Sequence, residues 1–235
     1  MALSQVQHKT GTINTSGNTV VVTVAATGSA NLIIVGCLGT ASDTITGVAD
    51  SAGSTYVQAA SARALSAGGR FTDVWYCKSS LSGATTVTVT YGTTGTNRRE
   101  AYVHEVSGAD TSSPFDAKGT STDTGGASPL SGAAVTTVAA NTYILAIIRT
   151  SGSTTGVAGG GFTADDFSLA GAAEHDIVSS QGTYTPTFAT SASTTDDAYS
   201  TVSFKQFSAA AFQPDDYNWQ APVPQAFNPM VTIWQ

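Results

Sequence analysis

His8, His104 and His175 are the chain's three imidazoles, and their surroundings show neither an H-E-x-x-H pair nor any other zinc spacing. His104-Glu105 and Glu174-His175-Asp176 fall in strand-like runs. Neighbouring side chains leave a strand on opposite faces, so neither set acts as a unit. Serine is so abundant that a Ser/His/Asp triad carries no information. There is no G-x-S-x-G elbow, and Gly159-Gly160-Gly161 lacks the lysine and Ser/Thr of a phosphate loop. The chain therefore reads as a non-enzyme. Cys37 and Cys77 each follow an apolar run and read as two buried thiols. A cross-strand disulfide stays open.

Acidic pairs stand beside turns at Asp165-Asp166, Asp196-Asp197 and Asp215-Asp216. Calcium takes about six to eight oxygens, usually from loops. Asp196 and Asp197, lying between two strands, are the metal candidates, and Ca2+ is the cofactor left open. Turn capping is the plainer reading. Trp75 and Tyr76 are the candidate ligand-binding pair. Adjacent in one strand, they leave on opposite faces, so one of them meets the other sheet, a partner or a glycan.

The elements that must position these residues are strands. Thr19–Val24 is β-branched throughout, with Val20, Val22 and Val24 on one face and Thr19, Val21 and Thr23 on the other. Leu32–Leu38 follows after a short polar connection suited to a hairpin. Further strands are expected over Ile45–Val48, Ser54–Gln58, Phe71–Cys77, Thr85–Tyr91, Ala101–Val106, Ala134–Val138, Tyr143–Arg149, Gly161–Phe167, His175–Ser179, Thr183–Phe188 and Tyr199–Phe207. Short alternating runs between Gly, Ser, Asn and Asp turns predict an all-β protein, an antiparallel β-sandwich with the jelly roll as one form of it. No stretch carries a helical stripe. A hairpin-like echo, Asn18–Ala26 then Asn31–Val35 against Ala134–Ala140 then Asn141–Ile148, allows two pseudo-repeated halves, 1–109 and 131–207, within a body spanning 1–207. Asp110–Leu130 reads as a polar loop or a crossover.

Residues 208–235 form a different kind of segment. From Phe212 onward it holds two tryptophans, two phenylalanines, a tyrosine and four prolines without a period. Proline keeps such a chain extended, and the rings need cover. Phe212, Tyr217, Trp219, Phe227 and Trp234 are the candidate interface anchors of this extended C-terminal arm.

With 235 residues the chain buries enough surface to hold a core without metal or disulfide. Its net charge of -7 repels phosphate backbones and argues against nucleic acid as a partner. The opening residues lack the pattern of a secretory signal. No apolar run reaches membrane-spanning length, so no membrane insertion is expected.

Five pieces occur in a recognisable order: Val48-Ala-Asp-Ser-Ala-Gly-Ser-Thr-Tyr56, Asp73-Val-Trp-Tyr-Cys77, Ala84-Thr-Thr-Val-Thr-Val-Thr90, His104-Glu-Val-Ser-Gly-Ala-Asp110 and Ser179-Ser-Gln-Gly-Thr-Tyr-Thr-Pro-Thr-Phe188. Over residues 6–207 they resemble a loosely defined family of β-sandwich modules found in phage structural proteins and secreted bacterial multidomain proteins. The resemblance implies that the first piece is a turn, the second a central strand and the third a hairpin edge. It implies that the fourth ends a strand before a long inter-sheet loop. It carries no catalytic residues. The expected role is that of a non-enzymatic structural protein of a bacteriophage virion: a capsid decoration, minor head or tail-associated subunit. Its partners would be copies of itself or other virion proteins. The alternatives are a carbohydrate-binding adhesion module that meets cell-surface glycans, and a homo-oligomeric filament or surface-layer subunit.

Overall fold

An unbroken apolar strand needs cover on both faces, and Leu32–Leu38 and Tyr143–Ile148 are the longest such runs. Each lies at the middle of a large sheet. The computed structural model describes residues 1–13, 17–40, 43–60, 62–95, 98–168 and 170–208, and the arm residues Phe212, Tyr217, Trp219, Phe227 and Trp234 lie outside them.

The strands in chain order are β1 (Ser4–Ile13), β2 (Gly17–Thr23), β3 (Leu32–Thr40), β4 (Ile45–Asp50), β5 (Val57–Gln58), β6 (Ala64–Leu65), β7 (Arg70–Cys77), β8 (Thr86–Gly95) and β9 (Arg99–Ser107). They continue as β10 (Phe115–Asp123), β11 (Leu130–Ser131), β12 (Val135–Thr136), β13 (Thr142–Thr150), β14 (Thr154–Gly159), β15 (Thr163–Phe167), β16 (Gly171–Val178), β17 (Thr183–Tyr184), β18 (Thr187–Thr190) and β19 (Asp197–Lys205). The protein is all-β, built of several antiparallel sheets. The first large sheet runs β1-β9-β3-β7-β5, with β6 also on β7; the second runs β10-β19-β13-β16-β15. Smaller sheets are β2-β8-β4, β11-β18-β14 and β12-β17.

The two large orders are the same order. Replacing β1, β9, β3, β7 and β5 by β10, β19, β13, β16 and β15 converts one into the other, and β2-β8-β4 becomes β11-β18-β14 in the same way. Register repeats too. Ile34 stands between His104 and Tyr76, as Leu145 stands between Val202 and His175. Both edge strands carry an irregularity near their start, between Gln5 and Gln7 and between Phe115 and Ala117. Ala30 and Asn141 both have positive φ, 60° and 53°. Each stands two residues before the first inward residue of its central strand, Leu32 or Tyr143. The sequence echo aligns Asn31 with Asn141, and the structure shifts that alignment by one.

Alternation distributes each central strand between two cores. Ile33, Val35 and Cys37 face Val22, Val87 and Val89 of the small sheet. Leu32, Ile34 and Leu38 join Tyr143, Leu145, Ile147, Val202 and Phe204 in a seam between the two large sheets. Ile144, Ala146 and Ile148 turn the other way, toward Leu130, Val135 and Phe188. At the seam a Cβ on Gly36 would stand 2.9 Å from Cγ2 of Ile147, so the sheets approach there because glycine leaves the space.

Several expectations are corrected. The runs Thr19–Val24 and Leu32–Leu38 do not form a hairpin: β2 pairs with β8, while β3 pairs with β7 and β9. The reason lies in burial. In β2 only one face is covered, with Val20 and Val22 buried and Val21 53% exposed, whereas β3 is covered on both. Likewise β12 pairs with β17 rather than β13. β8 is the middle of its sheet, not a hairpin edge. The polar segment after Asp110 contains β10, an edge strand whose threonines and serines face water. Thr183–Phe188 breaks into β17 and β18 around Pro186, which has no N–H for a ladder.

Candidate functional site

The three histidines converge. His104 on β9, His8 on β1 and His175 on β16 gather at the seam, with ring centroids 6.0 Å apart for His8–His104 and 6.3 Å for His104–His175. The repeated sheet order causes this: β1 of one half meets β15 of the other, and His104 occupies a seam-facing position of β9. Asp165 from β15 lies 2.7 Å from Nδ1 of His175 and 3.9 Å from Nδ1 of His104, and its side chain is 2% exposed. Tyr143 from β13 lies 2.8 Å from Nδ1 of His104 and stacks on His175 at 5.2 Å. The Gln5 amide donates to the Tyr143 hydroxyl and to Oδ1 of Asp165, both at 3.0 Å.

Burial pushes the His104 imidazole down to about 4, against the pull of Asp165. Burial also raises Asp165, but the His175 hydrogen bond, the His104 charge and the Gln5 amide outweigh it and hold the carboxyl below its usual range. The Tyr143 phenol is driven up by burial and so stays protonated, a poor nucleophile. Asp165–His175 has the geometry of an orienting acid and a base, but the Tyr143 hydroxyl bonds to His104 and Gln5, and only the phenol ring meets His175. Among the described residues no cluster of three or more His, Cys, Asp or Glu is arranged to hold a metal ion.

A second feature lies where β7 and β9 end. A cavity of about 470 Å³ is walled by Val57, Tyr76, Lys78, Leu81, Ser112 and Pro114, among others. Val57 pairs with Tyr76 across β5 and β7, and the residues after β7 complete that wall. The opposite wall is the connection from β9 to β10. Asp110 shapes it by accepting from Ser112 N–H at 2.8 Å, Ser112 Oγ at 2.8 Å and Ser113 N–H at 3.1 Å. Those bonds, the Ser112 hydroxyl first, hold Asp110 below its usual range. The Tyr76 ring stacks on Phe115 at 6.2 Å and meets the edge of Phe204 at 5.1 Å, so this wall also joins the two halves.

The expected site residues separate. Trp75 packs against the core between the first large sheet and the small one, while Tyr76 packs against the seam core and lines the cavity. Asp196 and Asp197 have partners other than an ion. Asp196 accepts from Ser66 Oγ at 2.7 Å and Gly68 N–H at 2.9 Å, and pairs with Arg70 at 2.6 Å. Asp197 accepts from Thr194 Oγ1 and, at 3.3 Å, from Ser151 N–H. Cys37 and Cys77 are free and buried. The turn that the resemblance implies within Val48–Tyr56 is present: Asp50 Oδ1 accepts from Ala52 and Ser54 N–H at 2.9 and 3.0 Å, and Gly53 has φ 83°. The histidine convergence had no local signal in the sequence. Its one trace was a histidine on the seam side of an apolar strand. No family model matches this chain, and no curated protein or solved structure matches it either.

Proposed function

We propose that this chain is a non-enzymatic structural subunit of a bacteriophage virion, assembling through its C-terminal arm on copies of itself or on other virion proteins. The observation that carries the reading is the strand order, met twice. In a jelly roll of eight strands the first, eighth, third and sixth form one sheet, and the second, seventh and fourth belong to the other. With β5 and β6 counted together as the fifth strand, β1-β9-β3-β7 over β2-β8-β4 follows that order, and so does the second half. The departure is at the fifth strand, which pairs beside β7 instead of β4. We read each half as a jelly-roll sandwich, the pair standing back to back on the shared seam. Jelly rolls are the architecture of many viral capsid and lectin domains. The step from architecture to setting is an analogy, supported separately by the five sequence pieces that resemble modules of phage structural proteins.

Deleting residues 212–235 is expected to leave the unfolding transition of the body in place and to abolish self-association or particle binding in sedimentation velocity. Unchanged association would overturn the reading. A second reading, glycan binding, draws on the same architecture and on the hydroxyl-rimmed cavity beside Tyr76. It is the weaker, because Trp75 is turned into a core. A glycan array with a signal lost in Tyr76→Ala would favour it.

A further inference from the structure

We propose that the cavity beside Tyr76 is the seat for residues 212–219 of the same chain, so that the arm is pinned on its own body and presents Phe227–Trp234 to a neighbour. The inference deepens the assembly reading and rests on the arm being an adhesive segment.

Three observations lead there. The first is where the described chain ends. Lys205 N–H donates to the carbonyl of Pro114, a cavity residue, at 2.8 Å, and Phe207 N–H donates to Gly108 at 2.9 Å. The departing strand and the cavity wall therefore belong to one ladder. From Lys205 to Phe212 an extended chain reaches roughly 25 Å, which makes the near part of the arm the segment best able to arrive. The second is the character of the lining. Val57 and Leu81 are 46% and 52% exposed, and with Tyr76 and Pro114 they make an apolar wall open to solvent. Rings such as Tyr217 and Trp219 would gain by covering it. The third is charge. In 212–219 the charged residues are Asp215 and Asp216, both acidic, and the cavity carries Lys78, whose Nζ donates to the Ser112 carbonyl at 3.4 Å on an exposed rim. A lysine over an apolar wall matches two aspartates followed by two rings. It also orients the segment, placing the carboxylates at the rim and the rings below.

The test uses the full chain at a concentration where it is monomeric, with amide exchange read by mass spectrometry. Residues 212–219 are expected to exchange at least tenfold more slowly than an unstructured peptide. Leu81→Glu and Lys78→Glu, both at exposed positions that leave the body folded, are expected to remove most of that protection. Combining Lys78→Glu with Asp215→Lys and Asp216→Lys is expected to restore it. Protection that ignores the cavity variants would overturn the seat and leave the arm reading standing. Protection that appears only on self-association would overturn pinning to the same body. Exchange at the unstructured rate in both dilute and associated protein would overturn the seat and the arm reading together. Saturable glycan binding that these variants abolish, with residues 212–219 unprotected, would assign the cavity to a sugar instead.

Discussion

His104 is a neutral imidazole by force of burial, and that makes the seam sensitive to acid. Its folded value is about 4, against about 6.5 in an unfolded chain. Between these limits the unfolded chain holds the extra proton, so stability falls as pH drops from 6.5 to 4, by up to about 3 kcal/mol. His104→Gln should flatten this limb in urea titrations taken at successive pH values; an unchanged acid slope would remove His104 as its source. Glu174 works in the other direction. It is 2% exposed, with Thr187 N–H donating to it at 3.1 Å, and burial drives it up to about 8. The folded state keeps a proton that the unfolded chain releases near 4.5, so stability falls as pH rises from 4.5 to 8. Glu174→Gln should add on the order of 2 kcal/mol at pH 8 and almost nothing at pH 4. Arg99 and Asp43 form a pair with fully buried side chains. Arg99→Ala leaves the carboxylate unpaired and should cost about 3–5 kcal/mol in chemical denaturation. None of these partnerships was legible from spacing, because His104 and Asp165, or Arg99 and Asp43, are joined by sheet order and not by neighbourhood.

At the scale of elements, alternation was legible and pairing was not. The faces of β2 and β8 fall where the valine and threonine pattern places them, since a strand with one wet side must alternate. Which strand lies beside β2 depends on whether the next run needs one cover or two, and Leu32–Leu38 needs two. A short polar connection suits a hairpin and a crossing to another sheet equally well. β10 lies in the segment that reads as a loop or a crossover, because an edge strand facing water can be threonine, serine and lysine without apolar repeats. The turn between β6 and β7 shows how an element is held across the halves. Asp196, just before β19, grips Ser66, Gly68 and Arg70, and a Cβ on Gly68 would stand 2.6 Å from its carboxyl carbon. Gly68→Ala should therefore cost about 1–2 kcal/mol and Asp196→Ala about 1–3, without additivity in the double variant because both break one clasp. Additive losses in denaturation would show that the glycine and the aspartate act separately.

For the whole molecule, the repeated order and the shared seam have one physical consequence: neither half has a finished surface. The first large sheet turns Leu32, Ile34, Leu38, Val74, Tyr102 and Val106 to the seam, and the second answers with Tyr143, Leu145, Ile147, Val202 and Phe204. Exposed together, either set would make an apolar patch larger than a soluble monomer ordinarily carries. The sequence echo falls on the central strands of the repeated order, yet it leaves the seam hidden, since an apolar residue on a strand does not say whether its cover comes from its own half or the other. Residues 1–109 expressed alone should accordingly aggregate or associate, and should yield a soluble pair when produced together with residues 110–235. In the intact chain, Leu145→Asp places a charge in the seam and should destabilise both halves in a single transition, read by near-ultraviolet dichroism and urea. Two separated transitions, or a monomeric 1–109 with cooperative unfolding, would mean that each half completes its own core and that the seam is only a contact between them.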